Sequence, residues 1–147
     1  MINRSTYFLA LLFIAITILP SCNKDDQDVG SSGVPYVPVN VLINTNLPAY
    51  FDISIPGGWV YYAAGSKGLI IYRKSQDVFI AMDRHCPYQA QNGCQVHMDQ
   101  SAAFSEDTDC CNSQYGVNDG SILQGPTSQS LKMYQTTFDG TLLRVFN

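Results

Sequence analysis

Cysteine and histidine are concentrated in one stretch, and this clustering constrains the fold more than any other feature of the sequence. Residues 83–126 hold four of the five cysteines and both histidines of the 147-residue chain. The cysteines fall in two groups, Cys86 with Cys94 and the adjacent pair Cys110 and Cys111. Cysteines in such groups cross-link loops or bind metals. We therefore expect two loops that face each other, carried by a framework formed from the rest of the chain.

Short hydrophobic segments with alternating polarity predict that this framework is all-β. Hydrophobic residues make up 46% of the chain and aromatic residues 12%, which is enough for a packed core. The segments are bounded by glycine, proline, asparagine and aspartate, which favour turns. Any helix is expected to be short. Strands are predicted at residues 36–43, 50–55, 59–62, 69–73, 78–82, 95–98 and 102–104, with a final hairpin over 135–146.

The two loops resemble the two cluster-binding boxes of the Rieske iron-sulfur family. The first box of that family reads Cys-x-His-x-x-x-Cys, and the second reads Cys-x-x-His-Gly-Ser-x-Phe, followed by a Gly-Pro loop and a further strand. The matching segments in this chain are residues 86–94, 110–115, 120–126 and 130–134. The resemblance spans residues 36–147. It implies a Rieske-like antiparallel β-sandwich of small sheets with a two-loop subdomain of the cluster-binding type.

Both histidine positions of the family pattern carry other residues here. The resemblance places Tyr88 at the first and Asn112 at the second, with Cys86 as the first ligand cysteine. The second ligand cysteine falls on Asp109 or, with one deletion, on Cys110. A Rieske centre needs two thiolates on one iron and two neutral imidazoles on the other. The former ligand positions are therefore Cys86, Tyr88, Cys110 and Asn112, and we expect no bound metal; a cluster, if one bound, would use Cys86 and Cys110.

The resemblance also implies how the cysteines pair. Four cysteines allow three pairings, and a bond between Cys110 and Cys111 would close a strained, very small ring. In the Rieske pattern the cysteine just before the second-box histidine bonds the later first-box cysteine, which implies Cys94–Cys111. Cys86 and Cys110 are then the former thiolates, expected to bond to each other once no metal is held. The crossed pairing, Cys86–Cys111 with Cys94–Cys110, remains open.

The first 35 residues are predicted to lie outside the β domain. Arg4 precedes an apolar run that ends at Cys22, an order typical of an export signal. The end of the run resembles a bacterial lipobox, which implies cleavage before Cys22 and membrane anchoring by several acyl chains. The alternatives are an ordinary signal that leaves Cys22 free, or an anchor helix. The predicted parts are a lipoprotein signal peptide over 1–21, a disordered tether over 22–35 and the Rieske-like domain over 36–147.

Charge bears on the location and the partners of the protein. The net charge is −4 with eight Lys and Arg residues, and no basic stripe favours nucleic acid. The tether begins with Lys24-Asp25-Asp26, which resembles the acidic export tag of some outer-membrane lipoproteins or is simply solvated. The acidic residues of 105–109 lack the pattern of a calcium-binding EF-hand loop and are expected to be solvated. We expect an outer-membrane lipoprotein facing the periplasm or the cell surface, whose partners are the membrane, through Cys22, and an unidentified protein.

Two functional classes fit these features. In an extended segment the side chain of His85 points away from that of Cys86, and no motif places a histidine base beside a cysteine, so we expect no enzyme. The favoured class is a disulfide-stabilised, non-catalytic binding or structural module without a cofactor, since export favours disulfides. The alternative is a Rieske-type 2Fe-2S electron-transfer protein, for which His85 and His97 are the available imidazoles. A third reading places another metal, such as zinc, on the thiolates.

Overall fold

The structure is a computed structural model that describes residues 33–101, 104–108 and 110–147. The predicted signal peptide and Cys22 lie outside these residues. In chain order the strands are β1 (Asn40–Asn44), β2 (Trp59–Tyr62), β3 (Leu69–Arg73), β4 (Phe79–Asp83), β5 (His97–Met98), β6 (Phe104–Asp107), β7 (Ser113–Gly116), β8 (Ile122–Gln124), β9 (Met133–Phe138) and β10 (Leu142–Phe146). Short 3-10 helices span Pro48–Ile53 and Ala90–Asn92. The predicted all-β class is confirmed.

The strands form two antiparallel sheets of unequal size. The larger sheet has six strands in the order β1-β10-β9-β4-β3-β2, and the smaller has four in the order β5-β6-β7-β8. Two predicted hairpins are confirmed, because β3 pairs with β4 and β9 pairs with β10. The first cysteine loop therefore crosses from the large sheet to the small one, between β4 and β5. The second loop joins β6 to β7 within the small sheet.

Strand β3, which lies between β4 and the edge strand β2, contributes side chains to a hydrophobic cluster on each of its faces. Leu69 and Ile71 pack in one cluster of the large sheet. Ile70, between them, packs in a second cluster that also contains Cys86 and Cys94. Successive side chains of a strand point to opposite faces, so a strand buried on both faces has a continuous hydrophobic sequence. The cysteine loops are thus packed against the second face of the large sheet.

The strand predicted over residues 50–55 is wrong. Residues 50–53 of this segment belong to the 3-10 helix Pro48–Ile53, which has proline at its start, and residues 54–55 form a bend after it. Proline is pre-organised for the first turn of a helix. The alternation of hydrophobic residues is misleading, because Ile53 is buried while Phe51 and Ile55 are 74% and 66% exposed.

The packed domain begins earlier than residue 36. Val34 lies within the predicted tether, yet it is buried in the structure. Gly33 precedes it with a φ of 68°, in the left-handed region that glycine adopts readily. The last residues of the predicted tether are therefore part of the fold. Among the described residues, no helix has the length and apolar character needed to cross a membrane.

Candidate functional site

A buried carboxylate at the end of β4 fixes the start of the first cysteine loop. Asp83 is fully buried. Its Oδ2 accepts hydrogen bonds from Ser66 N at 2.7 Å and from the Tyr134 hydroxyl at 2.8 Å. Its Oδ1 accepts from His85 N at 2.9 Å and from Lys67 N at 3.2 Å. Four donors from three chain segments therefore converge on one side chain, next to the loop that carries Cys86.

Glycine at position 65 makes this cluster of hydrogen bonds possible. Gly65 has a φ of 71°, and a Cβ atom there would lie 2.6 Å from Asp83 Oδ2 and 2.8 Å from the Tyr134 hydroxyl. Any larger residue would push the two hydrogen-bonding groups apart. Burial, and next the hydrogen bond with Asp83, raises the pKa of the Tyr134 hydroxyl above its usual range, so this tyrosine remains a donor.

The first loop turns back on itself and brings its two cysteines together. Cys86 N donates a hydrogen bond to Cys94 O at 3.0 Å. The short helix Ala90–Asn92 lies between them, flanked by Gln89 and Gly93, both in the left-handed region with φ of 47° and 67°. The left-handed conformations of these two residues reverse the chain direction on either side of the short helix and so close the loop.

The rings of both histidines interact with groups other than the cysteine thiols. The ring of His85 is hydrogen-bonded through Nδ1 to Ser66 Oγ at 2.7 Å and through Nε2 to Ala90 O at 2.8 Å. Its side chain points away from Cys86, as the sequence predicts for an extended segment. His97 Nδ1 lies 3.1 Å from a guanidinium nitrogen of Arg84.

An aspartate at the end of β6 organises the second loop. Asp107 Oδ1 accepts a hydrogen bond from Cys110 N at 3.1 Å, its backbone oxygen accepts from Asn112 N, and its Oδ2 accepts from Cys111 Sγ at 3.3 Å. The expectation that residues 105–109 are solvated is wrong for Asp107, which is fully buried. The strand alternation points to this arrangement, because Ser105 and Asp107 both face inward while their neighbours are half-buried.

The predicted Cys94–Cys111 bond is wrong, because Cys94 is bonded to Cys110, with 6.3 Å between their Cα atoms. The predicted Cys86–Cys110 bond is excluded with it. Asp107 holds the loop in a bend, so Cys110 faces outward to Cys94 and Cys111 turns inward. Of the two bonds in the crossed pairing, Cys94–Cys110 is therefore present, while Cys86 and Cys111 are free.

The other two cysteines of the two loops, Cys86 and Cys111, are free thiols that face each other. Cys86 Sγ lies 4.0 Å from Cys111 Sγ. It also lies 3.4 Å from the Tyr115 hydroxyl, whereas Cys111 Sγ lies 2.9 Å from Ser113 Oγ. Burial, with a further contribution from Asp107, raises the pKa of the Cys86 thiol to about 12. Such a thiol is protonated at neutral pH and is not an activated nucleophile.

The residues at the two former histidine positions differ in their placement. Tyr88 is partly buried and packs against the cluster that contains Cys86 and Tyr115, as predicted. Asn112 is exposed, with a φ of 56°. Asparagine is among the residues that adopt this left-handed conformation more readily than most. The assignment of Asn112 to the second histidine position stays a prediction, and Asp109 lies outside the described residues.

The Gly-Pro segment packs behind the second loop. Thr127 N donates a hydrogen bond to Ser113 Oγ at 3.1 Å, and Leu131 N donates to Gly120 O at 3.0 Å. The third segment of the family pattern thus supports the inward-facing end of β7.

Solved Rieske proteins have a similar fold. The ferredoxin of carbazole 1,9a-dioxygenase from Nocardioides aromaticivorans IC177 matches with a TM-score of 0.50 and 16% identity over 76% of this chain and 98% of that one. The cyanobacterial plasma membrane Rieske protein PetC3 from Synechocystis PCC 6803 matches with a TM-score of 0.54 and 19% identity over 71% of this chain and 99% of that one. No family model and no curated protein matches the sequence. The chain therefore has a Rieske-like fold.

Proposed function

We propose that this Rieske-like domain is a non-catalytic binding or structural module that does not carry a 2Fe-2S cluster. The observation that supports the proposal most directly is the engagement of both histidines elsewhere. His85 is hydrogen-bonded to Ser66 and Ala90, and His97 lies beside Arg84. A Rieske centre requires two imidazoles, and the sequence has no third histidine.

The donors that remain do not fit a Rieske cluster. Its four ligands are two thiolates and two imidazoles. The free thiols of Cys86 and Cys111 supply two sulfur donors, while the resemblance assigns a phenol, that of Tyr88, to the first imidazole position. The disulfide Cys94–Cys110 holds the two loops together by a covalent bond. Such a cross-link stabilises loops without a cofactor and suits an exported protein.

Export and lipid anchoring complete the proposal. The lipobox-like end of the leader at Cys22 supports an acylated N terminus, and residues 23–32 are long enough to separate the lipid from the domain. The module would then face the periplasm or the cell surface from the outer membrane. There it would bind a protein partner or serve as a structural element.

The second candidate is a 2Fe-2S electron-transfer protein. It is favoured by the similarity of the fold to two Rieske proteins. It also gains support from the free thiols of Cys86 and Cys111, whose sulfurs lie 4.0 Å apart. This candidate requires ligands that replace both missing imidazoles.

An absorption spectrum distinguishes the two candidates. Full-length protein purified from its native compartment, without chelators and under argon, is expected to show no visible charge-transfer bands and to contain no stoichiometric iron. An iron-loaded Rieske protein treated in the same way is the positive control. Visible bands that bleach with dithionite, together with iron and acid-labile sulfide in equal amounts, would establish the electron carrier and refute the module without a cluster.

Substitution of Cys22 tests the lipid anchor. We expect Cys22→Ala to abolish acylation and processing before residue 22, because the lipid is attached to this thiol. The measurement is intact mass together with fractionation of the cell envelope. Cys111→Ser is the matched control and should be processed normally. A Cys22→Ala protein with the same mature mass and the same outer-membrane fraction as wild type would contradict the lipobox.

A further inference from the structure

We propose that Cys86, Asp107 and Cys111 form a binding site for a single thiophilic divalent ion of the zinc class. The three side chains come from the first loop, the end of β6 and the second loop. Their ligand atoms all lie within 4.8 Å of one another. The inference goes beyond the proposed function, which assigns no metal to these residues.

The distances suit one tetrahedral ion. Zinc binds thiolate sulfur at about 2.3 Å and carboxylate oxygen at about 2.0 to 2.2 Å, so tetrahedral ligand atoms lie roughly 3.5 to 3.8 Å apart. Here the two sulfurs are 4.0 Å apart, and Cys111 Sγ is 3.3 Å from Asp107 Oδ2. These two distances differ from the tetrahedral values by a few tenths of an ångström, and the third pair, Cys86 Sγ and a carboxylate oxygen of Asp107, lies within 4.8 Å.

Each ligand also has a partner that orients it. The Tyr115 hydroxyl lies 3.4 Å from Cys86 Sγ, and Ser113 Oγ lies 2.9 Å from Cys111 Sγ. The second carboxylate oxygen of Asp107 accepts a hydrogen bond from Cys110 N, which leaves Oδ2 directed at the thiols. Hydrogen bonds of this kind fix the geometry of metal ligands and tune their affinity.

The chemistry of the donors selects the ion. Two thiolates favour zinc-like or softer ions over calcium and magnesium, which prefer oxygen. Cys86 and Asp107 are buried, whereas Cys111 is half-exposed, so an ion can enter from the Cys111 side. Three protein ligands leave a fourth position for water or a ligand. Cys94 and Cys110 also lie near Asp107, but their sulfurs are bonded to each other.

Cobalt binding tests the site. Full-length protein with Cys22→Ala, solubilised in detergent and kept under argon without reductant so that the Cys94–Cys110 bond stays intact, is titrated with Co²⁺ and then with Zn²⁺ in competition. We expect thiolate-to-cobalt charge-transfer bands at one equivalent, which Zn²⁺ abolishes. Cys86→Ser and Cys111→Ser should each weaken binding by more than the roughly 10- to 100-fold that loss of a second-shell partner costs. Asp107→Asn should weaken binding as well.

Matched variants make the result specific. Asp99→Asn, a second aspartate beside the small sheet, should bind as wild type. The double variant Cys94→Ser with Cys110→Ser should keep the bands, because its remaining thiols are the proposed ligands. For variants that fold poorly, the second measurement is the melting temperature with and without Zn²⁺. Zn²⁺ should raise the melting temperature of the parent chain and should not raise that of Cys111→Ser. The proposal is overturned if the parent chain gives no thiolate bands, if the bands survive Cys86→Ser and Cys111→Ser, or if they require Cys94 and Cys110.

Discussion

Replacing Cys94 and Cys110 together with serine is expected to lower the free energy of unfolding by about 3 kcal/mol, the value for a loop of this length. The bond spans 16 residues and joins the two cysteine loops. Its loss enlarges the set of unfolded conformations and releases the exposed end of the second loop. Urea unfolding of the purified protein under non-reducing conditions measures the effect.

The neighbouring cysteine provides the control for this pair. Cys111→Ser keeps a hydrogen-bonding group beside Asp107 and Ser113 and breaks no disulfide, so it should cost less than about 1 kcal/mol. Reductant should destabilise wild type by as much as the double substitution does, and should leave the double variant unchanged. If Cys111→Ser is the costly change and reductant has no further effect on it, the bond is Cys94–Cys111 and the observed pairing is wrong.

Much of the fold follows from local sequence patterns. The segment containing Ile70 predicts a strand because it combines β-branched residues with flanking turns, and it is the strand β3. The failure at Phe51 has a physical cause. Its period-two neighbours, Ile53 and Ile55, suggest a strand, but Pro48 starts a 3-10 turn and Phe51 and Ile55 are not covered by any strand of the described residues. A periodic pattern reports burial only where a partner element exists, and the partner depends on tertiary structure.

The candidate site was predictable in its location but not in its pairings. The spacing of Cys86 and Cys94 from Cys110 and Cys111 predicts two facing loops, which the structure contains. Which of two adjacent cysteines faces inward depends on the bend between them. That bend is fixed by hydrogen bonds to Asp107, a residue that lies just before the second pair of cysteines and that the sequence predicts to be in solvent. The alternation along β6 indicates that Asp107 faces inward, but it does not indicate which of the two following cysteines turns toward the carboxylate.

Asp83→Ala is expected to destabilise the protein by about 3 to 5 kcal/mol, the largest effect of any single substitution proposed here. The carboxylate accepts four hydrogen bonds, three of them from backbone N–H groups that cannot move away. Alanine leaves four donors without their partner, two of them in fully buried hydrogen bonds, and each buried unsatisfied group costs roughly 1 to 3 kcal/mol. Because the loop bearing Cys86 starts two residues later, labelling of the Cys86 thiol should also become faster.

Two further variants test whether the effect comes from the hydrogen-bond cluster. Tyr134→Phe removes a single donor to a charged acceptor and should cost about 1.5 to 3 kcal/mol, while Asp52→Ala, at an exposed site, should change stability by less than about 0.5 kcal/mol. If Asp83→Ala itself fails to fold, Asp83→Asn can be measured instead, because it preserves the shape of the side chain. Its loss of stability should lie between those expected for Tyr134→Phe and for Asp83→Ala. An Asp83→Ala protein as stable as Asp52→Ala would show that the donors find other partners and that this carboxylate does not anchor the first loop.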